Sequence, residues 1–185
     1  MRKWKTLSSK IILPSKWMKI SQQVVKLPNG TTLDDYYVWL KGDVVAIIPV
    51  TADDEFVFVK QYRHAVGKFM IEFPGGLVEE NENPLLVAQK ELLEETDAKG
   101  KLKLIGQLYD DPGKIVGRTY VYLATNVTLT KRSLGLIENR EDNEEIELIK
   151  IPFKKVIKMI NNGEIWSSET VACFFLALSH LNHTF

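Results

Sequence analysis

Apolar and polar positions divide the chain into stretches of different period. Up to about residue 40 the apolar residues come in short extended groups, Trp17, Met18 and Ile20, then Val24, Val25 and Leu27, set around the turn signal Pro28-Asn29-Gly30. These predict a small hairpin or β-meander that cannot be stable alone and must pack on the main body or on another subunit. From residue 44 the strand signal strengthens. Val44 to Val50 is nearly continuously apolar, the pattern of a strand buried on both faces. Asp53-Asp54 turns the chain into a second strand over Phe56 to Val59, and a shorter one, 69–73, stops at Pro74-Gly75-Gly76.

A helix is predicted from about Pro84 to Thr96, with Asn83 as N-cap and Pro84 at the first helical position, where proline is tolerated. Strands follow at about 102–109 and 119–125. Leu134 to Glu144 is polar and acidic without clear periodicity and is expected to be a mobile loop. Ile146 to Ile151 reads as a strand, and helices are expected over 153–161 and 168–181, the second opened by Ser167 or Ser168. Mixed strands with helices between and after them predict an α/β fold of the α+β kind, sheet and helices layered together.

Composition adds exclusions. Lys+Arg and Asp+Glu both number 24, so the formal net charge is zero and nothing in the overall charge favours nucleic acid or a membrane surface. The single cysteine, Cys173, leaves no disulfide framework or multi-cysteine metal site within one chain. The longest apolar run, Val171 to Leu178, is far short of the ~20 residues a spanning helix needs, and the basic start MRKWKTLSSK lacks the apolar stretch of a signal peptide. A cytoplasmic protein is expected.

Dinucleotide-binding, P-loop, zinc-protease and nucleophile-elbow motifs are all missing. The histidines are His64, His180 and His183; the last two, three residues apart, read as an exposed helix end rather than a metal pair. Carboxylates are therefore the expected carriers of any chemistry. Glu91, Glu94 and Glu95 stand at i, i+3 and i+4 and so share one face of the predicted helix. Such a face is often only solvated. Here, however, a Gly-Gly turn precedes the helix, and Glu82 lies between the two. Clustered oxygen donors without His or Cys suit Mg²⁺ or Mn²⁺, especially when a substrate phosphate completes the shell.

The stretch from Gly75 to Ala98 resembles the signature of Nudix hydrolases, G-x5-E-x7-R-E-U-x-E-E-x-G-U, where U is bulky and aliphatic. Gly76, Glu82, Glu91, Leu92, Glu94 and Glu95 fall at its spacings. Lys90 replaces the arginine, Asp97 the glycine, and Ala98 stands at the last aliphatic place. Lysine keeps the charge but loses the fork of a guanidinium. Asp97 would have to adopt the left-handed helix end at a cost of ~1 kcal/mol. The resemblance implies a Nudix-type α/β/α sandwich with a mixed sheet over residues 43–185, preceded by the β-meander of residues 1–42. It implies Mg²⁺ (or Mn²⁺) held by Glu91, Glu95, Glu94 and the Gly75 carbonyl, with Glu94 a ligand or a catalytic supporting group.

The flanks are similar to the ADP-ribose pyrophosphatase branch. Gln61-Tyr62-Arg63, followed by Ile71-Glu72-Phe73-Pro74-Gly75-Gly76-Leu77, implies that Arg63 binds substrate phosphate; a surface salt bridge is the other reading. Asp111-Pro112-Gly113 matches a proline placed beyond the box in that branch, making Pro112 and Gly113 substrate-contacting candidates. Lys16-Trp17-Met18-Lys19 continues the similarity toward the N-terminus. In that branch N-terminal strands exchange between two subunits and aromatic rings sandwich adenine, which implies a homodimer, Trp17 as one ring, and Tyr36 or Tyr37 as the other. The catalytic base is expected in the acidic stretch, at Glu144 or Glu145, unless Glu141, Asp142 and these two only solvate the loop. Together these imply a hydrolase of a small nucleoside diphosphate linked to a second moiety, with ADP-ribose leading and ADP-glucose or GDP-mannose next. A nucleotide-binding module without turnover is the rival, motivated by the two box departures.

Overall fold

In the computed structural model, residues 1–15, 17–129, 135–139 and 144–181 are described, with backbone alone for 135–139 and 144. The elements run β1 (Lys5–Pro14), β2 (Lys19–Lys26), β3 (Thr32–Trp39), β4 (Val44–Thr51), β5 (Glu55–Arg63), β6 (Lys68–Glu72), β7 (Gly75–Leu77), α1 (Pro84–Thr96), β8 (Lys99–Leu108), β9 (Thr119–Thr128), β10 (Gly135–Asn139), β11 (Glu144–Pro152), α2 (Phe153–Asn161) and α3 (Ser168–Leu178). They form two compact units, one of residues 1–43 with 109–118, the other of 44–108 with the chain from 119 onward.

The first unit is an antiparallel three-stranded sheet in the order β1-β2-β3. Its turn is the expected Pro28-Asn29-Gly30, with Gly30 at φ 96 and the Thr31 amide donating to Asn29 Oδ1 at 3.0 Å. β1 was not foreseen from the residues. It is exposed along its whole length and presents Leu7, Ile11, Ile12 and Leu13 to solvent, with Trp4 just ahead of it.

The second unit is built on a sheet of order β10-β11-β5-β4-β9-β8, with β6 added on β5 and β7 on β4. β4 runs parallel to β9 and antiparallel to β5, so the sheet is mixed. Successive side chains of a strand point to opposite faces, and the central strand uses both. Val45 and Ile47 pack with Val87, Ala88 and Leu92 of α1, whereas Ala46, Ile48 and Val50 join Phe56, Phe58, Val156 of α2 and Phe174 of α3. Helices on both sides of one sheet make the expected α/β/α sandwich, and explain why Val44 to Val50 reads as unbroken apolar sequence.

Helix boundaries follow from local chemistry. The Asn83 side chain accepts from the Leu85 amide at 2.9 Å and Pro84 follows at N1. Ser167, not Ser168, caps α3 by accepting from the Thr170 amide. One expectation is corrected. The stretch 134–144 is not simply a loop, because Gly135–Asn139 forms β10, antiparallel to β11 in the register Ile137↔Ile146. The exposed edge of β11 satisfies backbone groups that the local sequence gave no reason to pair. Leu134 and residues 140–143, including Glu141 and Asp142, lie outside the described residues, as do Lys16 and His183.

Candidate active site

The site grows from the junction of β6, β7 and α1, all within the second unit. After β6 the chain passes Pro74, whose carbonyl accepts the Ile47 amide at 2.8 Å, and continues as β7 against β4 in the register Ala46↔Gly75 and Val45↔Gly76. The contact is tight. A Cβ at Gly75 would lie 2.2 Å from the Val45 carbonyl oxygen, so only glycine lets the two backbones approach this closely.

α1 is held over this strand by its own glutamates. Glu95 is 4% exposed, and its Oε2 accepts the Gly75 amide at 2.8 Å. A buried carboxylate needs such a donor to offset lost hydration. One turn earlier, Glu91 lies against Gly76, where a Cβ would stand 2.1 Å from Oε1. Glu94 is half-buried, with Lys90 Nζ at 3.6 Å from its Oε1. The structure thus brings Glu91 and Glu95 onto the Gly75-Gly76 strand, with Glu94 beside them on the same helix turn.

Both departures from the signature have visible geometry. Asp97 caps α1 in the left-handed region, φ 50 and ψ 27, with its amide donating to the Leu93 carbonyl at 2.8 Å. This is the conformation the sequence argument required of it. Lys90 reaches Glu94 as a point charge rather than by a guanidinium fork. Glu82 stands before the helix and its Oε2 accepts the Glu79 amide at 3.0 Å.

Arg63 ends β5, and its Nε donates to Glu72 Oε2 at 2.8 Å. The β5–β6 register, Val59↔Glu72 and Arg63↔Lys68, sets the two on the same face of the hairpin. Glu72 stands three positions before Gly75, so one short run of chain links the Arg63 pair to the glycine that holds Glu95. Sequence reasoning did not single out Glu72; the register sets it opposite Val59 on the face that carries Arg63, and the two long side chains then meet.

The donor set fits a divalent cation of the Mg²⁺ or Mn²⁺ type: hard carboxylate oxygens on one helix turn, beside a glycine whose absent side chain leaves room at Glu91. Among the described residues, no three His, Cys, Asp or Glu side chains are already gathered as a metal cluster. Glu144 and Glu145 open β11 opposite Asn139 and Glu138; Glu145 is exposed.

The remaining candidates belong to the first unit. Trp17 is 82% exposed and Tyr37 48%. Tyr36 packs its ring edge-on against Trp4, with centroids 5.9 Å apart, and its hydroxyl donates to the Gly113 carbonyl. Pro112 and Gly113 sit in a turn in which the Gly113 amide donates to Asp111 Oδ1 at 3.1 Å.

Comparison with known proteins bears on the family and the fold. Residues 4–39 match the family model described as nucleoside diphosphate sugar hydrolase N-terminal domain. The chain is 28% identical to an ADP-ribose pyrophosphatase of Bacillus subtilis (strain 168), over 90% of this chain and 88% of that one. It is 31% identical to an ADP-sugar pyrophosphatase of Mus musculus, covering 95% and 87%, and 29% identical to a methanol dehydrogenase activator of Bacillus methanolicus, covering 90% and 88%. A solved structure titled ADP compounds hydrolase superposes with a TM-score of 0.84 at 18% identity, over 98% of this chain and 96% of that one, which bears on the fold. The model described as NUDIX domain matches residues 40–172, so the glutamate-bearing helix and its glycine strand lie inside it, and the chain belongs to the NUDIX domain family.

Proposed function

We propose that this protein hydrolyses the diphosphate of a nucleoside diphosphate linked to a second moiety, with ADP-ribose as the leading substrate, giving AMP and ribose 5-phosphate. The observation that carries this reading is the seating of Glu91 and Glu95 on Gly76 and Gly75. It places hard oxygen donors at a fixed point beside the strand that follows the Arg63–Glu72 pair. Relatives named for ADP-ribose and ADP-sugar hydrolysis support it.

Nudix hydrolases generally use divalent metal ions, and Mg²⁺ is the ion proposed here. Glu91, Glu95, Glu94 and the Gly75 carbonyl would hold it; when bound, such an ion polarises the diphosphate and eases deprotonation of water. The chain's own residues do the rest. Arg63 holds a phosphate, with its guanidinium oriented by Glu72. Glu144 or Glu145 accepts the proton of the attacking water as the new P–O bond forms and the bridging P–O bond breaks, leaving one phosphate on each product. Trp17 offers a flat surface to the base, together with Tyr37 or Tyr36, and the turn at Pro112 and Gly113 contacts the substrate.

Residues 1–42 serve as a dimerisation segment ahead of the catalytic domain of 43–185, and the protein works as a cytoplasmic homodimer without nucleic acid or membrane partners. The exposed edge strand β1 supports the dimer, since an uncovered edge invites pairing with another chain. No helix among the described residues is long and apolar enough to cross a membrane.

Two other readings have specific support. GDP-mannose pyrophosphatases of Salmonella, 31% identical over 68% of this chain, favour a nucleoside diphosphate sugar as substrate. The two departures from the signature, Lys90 with its point-charge contact to Glu94 and Asp97 in the left-handed helix end, favour a nucleotide-binding module. AMP or GMP release from ADP-ribose, ADP-glucose, GDP-mannose and NADH, with Mg²⁺ and then with EDTA, separates all three. Metal-dependent cleavage strongest for ADP-ribose is expected. Stronger cleavage of GDP-mannose would replace the substrate, and tight ADP-ribose binding without cleavage would replace the activity.

A further inference from the structure

The segment from Asp110 to Arg118 is laced along residues 36–43 at nearly every turn of its course. Lys41 Nζ meets Asp110 Oδ2 at 2.6 Å. The Tyr36 hydroxyl donates to the Gly113 carbonyl. The Trp39 amide donates to the Lys114 carbonyl at 2.8 Å, and the Val116 amide returns a bond to the Trp39 carbonyl at 3.1 Å, which makes Ile115 a parallel partner of Trp39. Gly117 approaches so closely that a Cβ there would lie 2.4 Å from the Gly42 carbonyl oxygen. Finally, Asp43 takes both the Arg118 amide, on Oδ1 at 3.1 Å, and the Arg118 Nε, on Oδ2 at 3.1 Å.

We infer that Tyr36 and Asp43 are positioning residues, which pin the turn bearing Pro112 and Gly113 to the end of β3 so that it meets substrate already ordered. The inference rests on the proposed role of Pro112 and Gly113 in substrate contact. Its physical basis is that ordering a free turn on binding costs affinity, whereas a turn fixed beforehand does not carry that cost. Two anchors flank the turn: Tyr36 grips its middle by a neutral hydrogen bond, and Asp43 fixes its exit by a charged one. Tyr36 is thereby committed to the loop through its hydroxyl and to Trp4 through its ring, which leaves Tyr37 the better placed of the two for stacking.

The test uses the full chain with Tyr36→Phe and Asp43→Asn. Both keep the shape of the side chain, and a thermal melt checks that each variant is folded. Amide exchange at 113–118 and the kinetics with ADP-ribose and Mg²⁺ are then read together. Losing one hydrogen bond of ordinary strength predicts a rise in KM of about fivefold for Tyr36→Phe, and more for the charged Asp43 pair, with kcat within about twofold. Exchange at 113–118 should quicken by a similar factor, and Asp43→Glu should recover part of the KM loss. Unchanged exchange would overturn the clamp itself. Faster exchange with an unchanged KM, or an equal fall in kcat, would overturn its role in binding. If the wild type cleaves nothing, the proposed activity fails separately, and the Kd for ADP-ribose decides the clamp in place of KM.

Discussion

The carboxylate of Glu91 covers Gly76 so closely that a Cβ added to the glycine would stand 2.1 Å from Oε1, whereas the neighbouring Gly75 would direct its Cβ at the backbone oxygen of Val45, 2.2 Å away. The two glycines therefore serve different ends. A side-chain carboxylate can swing aside; a strand carbonyl inside a sheet cannot. Gly76→Ala is expected to fold with stability within about 1 kcal/mol of wild type but to lose more than tenfold in turnover, because Glu91 is displaced. Gly75→Ala should lose about 1–3 kcal/mol of stability by forced overpacking. Urea melts beside steady-state assays distinguish the two, and equal stability losses would refute the contrast.

Glu95 combines a structural hydrogen bond with its proposed role as a metal ligand. Glu95→Gln retains an oxygen that can accept the Gly75 amide, so the fold should persist while metal-dependent turnover falls by about a hundredfold or more. Glu95→Ala leaves a half-buried amide without its acceptor and should additionally cost about 1 kcal/mol. An unchanged rate in the glutamine variant would remove Glu95 from the site.

Asp97 holds φ 50 without being glycine. Asp97→Gly relieves that conformation at the end of α1, and after the greater flexibility of glycine in the unfolded chain is counted, a gain of up to about 0.5 kcal/mol remains. A melting temperature higher by about 2 °C is expected. A lower one would mean that the Asp97 side chain contributes more than its backbone strain removes.

Lys90→Arg restores a planar fork next to Glu94, where the lysine makes a contact at 3.6 Å. Turnover with Mg²⁺ should rise by a few fold with KM unchanged, since the change acts on the glutamates and not on the nucleotide. A fall in turnover would show that Lys90 is suited to this site as it stands.

Arg63→Lys tests phosphate binding. A lysine cannot make both the Nε bond to Glu72 and a forked contact with a phosphate. KM for ADP-ribose should rise about tenfold, and ADP should lose potency as an inhibitor by a similar factor. If KM stays constant, the Arg63–Glu72 pair is only a surface salt bridge.

By itself the sequence determined what depends on near neighbours. The caps of α1 act within four residues, so Asn83 and Pro84 announced its start, and the place of Asp97 in the signature its end. The spacing of Glu91, Glu94 and Glu95 fixes their common face wherever the helix lies, and the nearly continuous apolar run Val44 to Val50 pointed to a strand covered on both sides, as it is. Tertiary structure decided whatever depends on distant partners. Gly135–Asn139 became a strand because β11 offered an unpaired edge, not because its residues favour one. Glu72 met Arg63 because a hairpin set both on one face within reach of each other. Residues 109–118, read as part of the catalytic half, were taken into the N-terminal unit by hydrogen bonds to residues 36–43, some 75 positions away in sequence. Backbone donors and acceptors are alike at every residue but proline, so sequence pattern marks which segments need partners, while only the folded chain selects which partners they take.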